Sequence, residues 1–325
     1  MAGPLTPVDP SYDVLRTGCA LLDRSELGKL AVVGPQAREF LAGQVSNDTE
    51  ALEPGTGCYA ALLDNKGKML GDLRVLRSPD GAELLLVCER VALQALFDAL
   101  RRTIIGWQAE LEKRTLQRAL LSLIGPAART VAGADEAGLG ATEHASAAAS
   151  LDGHEVLLVA TDAGVDVVCL AEDLDAVTAS LLERGAVTVD EAAVELHRIE
   201  SGRPRYGVDL DATVIPQEAG LNERAVSFTK GCYVGQETVA RLFYRGKPNR
   251  RLLGLRLAAP APAGTELHAV VADGEEPGRV LGRVTSVGVS PVHGPIALAF
   301  VRREAEVGDT LAVGATTGVV VELPF

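Results

Sequence analysis

The chain has 325 residues, 47% of them hydrophobic, and a formal net charge of −13. That length calls for two or three packed units instead of one core. The acidity opposes general binding to nucleic acid or to an anionic membrane, and no uncharged apolar run approaches the ~18–20 residues that cross a bilayer.

Five cysteines, an odd number scattered as Cys19, Cys58, Cys88, Cys169 and Cys232 with no CxxC pair, exclude a local zinc knuckle and oppose a disulfide framework. The opening "MAGPLTPVDPSYD" has neither a basic start nor an apolar h-region. No secretion signal is therefore expected, and a reducing cytoplasm is the expected compartment.

In chain order, "KLAVVGP" reads as a strand closed by Gly34-Pro35, and "PQAREFLAGQV" as a helix with proline at its first position, where the missing N–H costs nothing. The phrase returns as "LLSLIGPAARTV", with Gly125-Pro126 between strand and helix. A second pair, "GAELLLVCERVALQALFDALRRT" and "GVDVVCLAEDLDAVTASLLERG", reads each time as a strand followed by an amphipathic helix. Two pairs in the same order point to a duplicated α+β unit. Cys88 and Cys169 end apolar strands within it and read as buried small hydrophobes. The run Glu136 to Ser150, "EAGLGATEHASAAAS", reads as a surface connection. His144 there, like His154, His197, His268 and His293, lacks neighbouring ligands, so no metal is assigned.

Three stretches are under-explained by packing. In "CYAALLDNKGKMLGDLRV" two apolar strands flank the turn cluster Asn65-Lys66-Gly67. Asp72 interrupts the second strand and either caps a turn or faces a cavity. The GxxxxGKS/T spacing of a phosphate loop is absent. In "LHRIESGRPRYGVDLDATVIPQEAGL" a helix over Glu191 to Ser201 stops at Gly202 and Pro204 and is followed by a polar loop with Arg205, Tyr206 and Asp209. Glu200 opposes the helix dipole in the last turn, which points to another partner or to a surface salt bridge.

The third stretch, "SFTKGCYVGQETVARLFYRG", lies in a basic segment. From Asn222 to Arg256 eight Lys/Arg stand against two Glu, a local +6 that leaves −19 for the rest. Five of the twelve aromatics fall between Tyr206 and Tyr244. The segment reads either as a site for a flat or anionic ligand or as a solvated helix face with core aromatics. Cys232 precedes a helix, "QETVARLFYRG", and stands close to Lys230, two features that favour a thiolate; the alternative is a buried, inert cysteine. After "GKPNRR", short strands such as "LLGLRL", "RVLGRVTSV", "PIALAFV" and "GVVVELPF" predict a small all-β domain, a barrel beginning near Arg250.

Together these stretches resemble the aminomethyltransferase (GcvT-like) superfamily, typified by the T-protein of the glycine cleavage system, and more closely its YgfZ-type folate-binding branch, which is linked to iron–sulfur proteins. The signature of that branch is KGCYxGQE, and Lys230 to Glu237 reads "KGCYVGQE". "FLAGQVSND", "NKGKMLGDLRV", "RIESGRPRYGVDL", "IPQEAGL" and "GRVTSVGVSP" are similar to superfamily blocks in the expected order, from about Tyr12 to the end.

The resemblance implies an α+β fold: two intertwined α+β units with an internal repeat over 1–248, bearing the folate site, then a C-terminal β-barrel domain over 249–325. It implies tetrahydrofolate, or a one-carbon-substituted folate, as the ligand. A carboxylate suits the pterin's N–H edge, aromatics its rings and basic residues its glutamate tail. By position Glu200 looks like the carboxylate that grips the pterin, and Asp72 matches the aspartate near the reactive folate nitrogens. Lys230, Arg241, Tyr206 and Tyr233 are the candidate walls and tail contacts.

Cys232 is the working thiol of that reading, with Lys230 and Asp72 beside it as catalytic candidates. The implied role is cytoplasmic support of assembly or repair of iron–sulfur enzymes, including cluster-dependent tRNA-modifying ones. Its partners are the assembly machinery or client enzymes, without membrane or direct nucleic-acid binding. Two departures set the chain apart from aminomethyltransferases: Gly71-Asp72 stands where paired aspartates are usual, and Gln236 where an arginine is usual. Two further readings stay open, an aminomethyltransferase or demethylase using folate, and a scaffold that binds no folate.

Overall fold

The computed structural model describes residues 10–271 and 278–325; most of the opening segment behind the no-signal expectation lies outside them. The chain forms two compact units, one of residues 1–62, 71–194 and 229–233, the other of 63–70, 195–228 and 234–325.

In the first unit α1 (Pro10–Thr17) leads into β1 (Ala20–Asp23). There follow β2 (Gly28–Val33), α2 (Ala37–Ala42), β3 (Gly57–Leu63), β4 (Met69–Arg77), β5 (Glu83–Cys88), α3 (Leu93–Thr103) and β6 (Glu110–Lys113). Then come β7 (Arg118–Ile124), α4 (Ala128–Ala132), β8 (Ser146–Leu151), β9 (His154–Ala160), β10 (Gly164–Leu170), α5 (Leu174–Glu183) and β11 (Val187–Thr188). One sheet has the order β3-β4-β5-β2-β6, the other β8-β9-β10-β7-β1-β11.

Strand for strand the two sheets share one layout, with β1 in the place of β6. The chain lays β1 into one sheet, builds the other, and returns, so the halves are intertwined and duplicated as expected. The Gly-Pro phrases mark equivalent points. Gly34 and Gly125 have φ of +111° and +116°, a region that disfavours side chains. A Cβ on Gly34 would meet the Gln108 carbonyl at 2.6 Å, just before β6, and one on Gly125 the Gly18 carbonyl at 2.6 Å, just before β1. The helix after Gly34 starts later than expected: Gln36 is its N-cap, so Pro35 belongs to the turn and not to the first helical position.

The continuous apolar runs of β7 and β10 are covered on both faces. Leu121, Leu123, Val165 and Val167 pack with Val131, Val177 and Leu181 of α4 and α5. On the opposite face Leu120 and Val168 meet Leu76, Leu85 and Val87 of the five-stranded sheet. Each such side chain contributes about 1.5–3 kcal/mol on burial. Within the same interlayer Arg74 Nη1 donates to Asp166 Oδ2 at 2.5 Å, and Ser122 Oγ to Asp166 Oδ1 at 2.6 Å. Cys88 and Cys169 are buried, as the strand pattern predicted.

The Glu136–Ser150 run corrects its reading as a surface connection. Leu139 and His144 are buried, and Ser146 opens β8, an edge strand paired with β9 from Ser146↔Val159 to Leu151↔His154. An alanine-rich strand lacks the β-branched residues that would have revealed it.

Besides residues 63–70, the second unit holds the end of α6 (Glu191–Glu200), a 3₁₀ turn (Pro216–Ala219), α7 (Asn222–Ala225), α8 (Gln236–Arg245) and the barrel. Its strands are β12 (Arg250–Leu257), β13 (Glu266–Ala269), β14 (Val280–Ser290), β15 (Gly294–Arg302), β16 (Thr310–Val313) and β17 (Thr316–Val321), closed in the order β12-β15-β14-β13-β16-β17. Leu253, Leu255, Ala297, Ala299, Val301, Leu311 and Val320 fill its interior. Asp209, from the loop after α6, is fastened to the barrel. It accepts from Arg198 Nη1 at 2.7 Å, the Arg205 amide at 3.0 Å, Thr285 Oγ1 at 2.5 Å and Ser286 Oγ at 2.7 Å. The register shift in β14 between Val284 and Ser286 lets two consecutive hydroxyls reach one carboxylate.

Candidate functional site

The signature loop begins in the first unit. Lys230 Nζ donates to the Ala42 carbonyl and stands 4.7 Å from the centre of the Tyr233 ring, a cation–π contact. Burial lowers the lysine from its ordinary 10.5 to about 8, although Asp48, Cys58, Glu50 and Cys232 near it act in the opposite sense. Burial also pushes the Tyr233 phenol up to about 12.

The five thiols divide sharply. Cys19, Cys88 and Cys169 are buried and Cys58 half-buried, whereas Cys232 is exposed. Burial pushes Cys19 and Cys169 up to about 11 and Cys88 and Cys58 up to about 12; at Cys58 the Asp48 charge adds to this and Lys230 opposes it. The reading of Cys232 as a buried, inert thiol is therefore set aside. A Cβ on Gly231, next to it, would meet nothing within 4 Å, so the loop is open at the cysteine.

Asp72 lies in β4 and is 7% exposed. Its Oδ2 accepts the Tyr59 hydroxyl across 2.5 Å from the neighbouring strand β3. The turn-cap reading of Asp72 fails, because Asp64 does that work: its Oδ1 accepts the amides of Lys66 at 2.8 Å and Lys68 at 2.9 Å. At Gly71 a Cβ would sit 3.0 Å from Ala92 Cβ and 3.0 Å from Leu96 Cδ2 of α3 and the residue before it. The packing thus explains why a second carboxylate is missing beside Asp72.

The other candidates belong to the second unit. Glu200 ends α6 half-buried, and its backbone carbonyl accepts the Phe325 amide at 3.0 Å. Tyr206 is half-buried and donates to the Met69 carbonyl at 3.3 Å. Gln236 opens α8 half-buried, and Arg241 is exposed on the same helix. The Asp64–Gly67 turn and the signature's second glycine interlock. Gly235 has φ +83°, and a Cβ there would meet the Asp64 carbonyl at 2.5 Å; one on Gly67, at φ +78°, would meet Thr238 Cβ at 2.9 Å and the Gly235 carbonyl at 3.2 Å. Two sequence blocks far apart in the chain thus require glycine for one backbone-to-backbone contact.

Lys230 and Tyr233 are brought together, with Cys232 near enough to act on the lysine, and Asp72 is paired to Tyr59. Sequence reasoning missed Tyr59, Cys58, Asp48 and Glu50. Tyr59 had a signal, a hydroxyl on the opposite arm of the hairpin that carries Asp72. The acids Asp48 and Glu50 adjoin the "FLAGQVSND" block but lack any local mark of their neighbour. Among the described residues no group of three or more His, Cys, Asp or Glu could hold a metal ion, and no helix is long and apolar enough to cross a membrane.

Residues 7–230 match the family model of the GCVT N-terminal domain, and residues 250–325 that of the glycine cleavage T-protein C-terminal barrel domain. The chain is 31% identical to an aminomethyltransferase of Streptomyces coelicolor over 88% of this chain and 79% of the relative. It is 27% identical to a chloroplastic protein of Arabidopsis thaliana, provisionally named a transferase, over 98% of this chain and 73% of the relative. Among solved structures, the glycine cleavage system aminomethyltransferase T of Bartonella henselae superposes with a TM-score of 0.82 at 26% identity, covering 97% of this chain and 88% of that one.

Proposed function

Because the chain belongs to the glycine cleavage T-protein family, we propose that it binds tetrahydrofolate and, as a YgfZ-type member, supports the assembly or repair of iron–sulfur enzymes through Cys232. One observation carries the reading: of five cysteines, the exposed one is the cysteine of KGCYVGQE. Lys230, held on the Ala42 carbonyl and over Tyr233, supplies a positioned cation next to it in the chain.

Glu200 is assigned to the pterin N–H edge, Asp72 to the reactive folate nitrogens, and Tyr206, Tyr233, Gln236 and Arg241 to the walls and tail. Tyr59 joins them as the residue that orients the Asp72 carboxylate. A cluster is ordinarily held by four cysteines. A single exposed thiol therefore suits a transient or shared ligand, with an assembly protein or a client enzyme supplying the others. Five unpaired cysteines suit a reducing compartment, and the cytoplasm is the compartment of this reading.

The test is genetic. In a strain lacking the gene, the wild-type chain and a Cys58→Ser variant are expected to restore the activity of a cluster-dependent tRNA-modifying enzyme, and Cys232→Ser is expected to fail. Full restoration by Cys232→Ser would remove the thiol from the account.

A second reading, folate-dependent aminomethyl transfer, is favoured by the Streptomyces and Bartonella relatives, both named aminomethyltransferases. Gly71, packed against Ala92 and Leu96, weighs against it. Turnover of an aminomethylated lipoyl carrier protein by the purified chain would decide for it.

A further inference from the structure

We infer that Phe325 is a positioning residue for Glu200: the segment after β17 clamps the last turn of α6 and thereby sets the direction of the carboxylate assigned to the pterin, an inference that rests on the folate reading above. Glu200 is the last residue of α6. A helix end leaves its final carbonyls without helical partners, and a carboxylate placed there is opposed by the dipole. The turn that carries Glu200 is therefore the one most prone to fray. It needs a hold from outside the helix if the carboxylate is to keep one direction.

The local closure of α6 is a Schellman motif. Gly202 takes φ +66°. Its amide donates to the Ile199 carbonyl at 2.9 Å, and the Arg203 amide to the Arg198 carbonyl at 3.1 Å. The Ser201 amide meets the His197 carbonyl at 3.0 Å. These bonds serve residues 197 to 199 and pass over Glu200. The Glu200 carbonyl is taken instead by the Phe325 amide, at 3.0 Å, from beyond the last strand of the barrel.

Two glycines make room for the same segment. A Cβ on Gly202 would stand 2.7 Å from Leu323 Cβ, and one on Gly254 of β12 would stand 2.9 Å from both Cε1 and Cζ of Phe325. The ring of His293, in the turn between β14 and β15, lies 6.2 Å from the half-buried Phe325 ring at an interplanar angle of 39°. The Phe325 ring is thus seated on the barrel while its amide reaches α6, and one residue ties the end of the helix to β12. A fold concerned with stability alone would be served by a neutral residue at position 200. Here a distant segment holds the one turn whose end residue works against its helix, a local conflict of the kind kept at functional sites.

The test is calorimetric titration of the full-length protein with tetrahydrofolate in a double-mutant cycle. Phe325→Pro, which removes both the amide donor and the ring, is made in the wild type and in Glu200→Ala. In the wild type it is expected to weaken binding about two- to tenfold, the factor that corresponds to one ordinary hydrogen bond. With Glu200 already alanine it is expected to cause no further loss, since the two residues act as a unit. Phe325→Tyr, which keeps amide and ring, is expected to bind as the wild type does. Should Phe325→Pro not fold, Phe325→Ala in the same two backgrounds carries the comparison. Equal losses in both backgrounds, or no loss in the first, would overturn the positioning role and leave folate binding intact. Failure of the wild type to bind would overturn the functional reading itself, and this inference with it.

Discussion

Tyr59 donates its hydroxyl to Asp72 Oδ2 at 2.5 Å, joining the two arms of one hairpin. The contact fixes the direction of a nearly buried carboxylate and therefore has a measurable energy. Tyr59→Phe removes a hydrogen bond to a charged acceptor and is expected to cost about 1.5–3 kcal/mol, read as a lower urea midpoint. Asp72→Asn, which keeps an acceptor for the phenol, is expected to fold nearly as well while losing folate-linked activity.

Lys230 gives the site a pH dependence. An unfolded lysine titrates near 10.5, and the folded one near 8. Between those values the unfolded chain holds a proton that the folded chain has released, so this residue's contribution to stability rises with pH from about 8 to 10.5. Below pH 8 the folded protein bears the full cost of burying the ammonium. Urea midpoints across that window are expected to rise in the wild type relative to Lys230→Met. A midpoint difference independent of pH would contradict the depressed lysine.

The cysteines predict a thiol count. With a maleimide at neutral pH, one thiol per native chain is expected to react quickly, and none in Cys232→Ser. Cys19, Cys58, Cys88 and Cys169 are shielded and held as thiols by burial, so their labelling is expected to follow unfolding.

Gly71→Asp tests whether the missing second carboxylate is a packing matter. Its Cβ meets Ala92 and Leu96, and overfilling of this kind costs typically 1–3 kcal/mol. The variant is expected to be less stable by about that amount and to gain no aminomethyl transfer. A combined Gly71→Asp/Leu96→Ala variant is expected to recover part of the loss.

The interlayer ion pair is a further lever. Asp166→Ala leaves the half-buried Arg74 without its carboxylate and is expected to cost about 1–3 kcal/mol, whereas a paired Arg74→Met/Asp166→Leu variant is expected to recover most of it. Denaturant unfolding of the two variants separates these outcomes.

The architecture was legible where periodicity and punctuation agree. Gly34-Pro35 and Gly125-Pro126 revealed the duplication because each glycine occupies a backbone angle and a tight contact open only to glycine. Apolar runs gave β7 and β10, and Gly/Pro turns the barrel. Short strands such as β13, β16 and the alanine-rich β8 were illegible, since their pairing is set by distant neighbours. The same holds at the site. Asp72, Cys232 and Lys230 stand out as charged or reactive residues in unusual local settings. Asp48 and Cys58 acquire their meaning only when the fold brings them near Lys230. Asp209 reads in the sequence only as a member of a polar loop; the hydroxyls of Thr285 and Ser286, far along the chain, make it a fastening of the barrel.

Calorimetric titration of the full-length wild-type chain and of Glu200→Ala with tetrahydrofolate is the most direct measurement. Saturable binding at one site is predicted for the wild type. The variant, having lost a charged hydrogen-bond acceptor worth about 1.5–3 kcal/mol, is predicted to bind at least about tenfold more weakly. An absence of binding heat in the wild type, or equal affinity in the variant, would contradict the account.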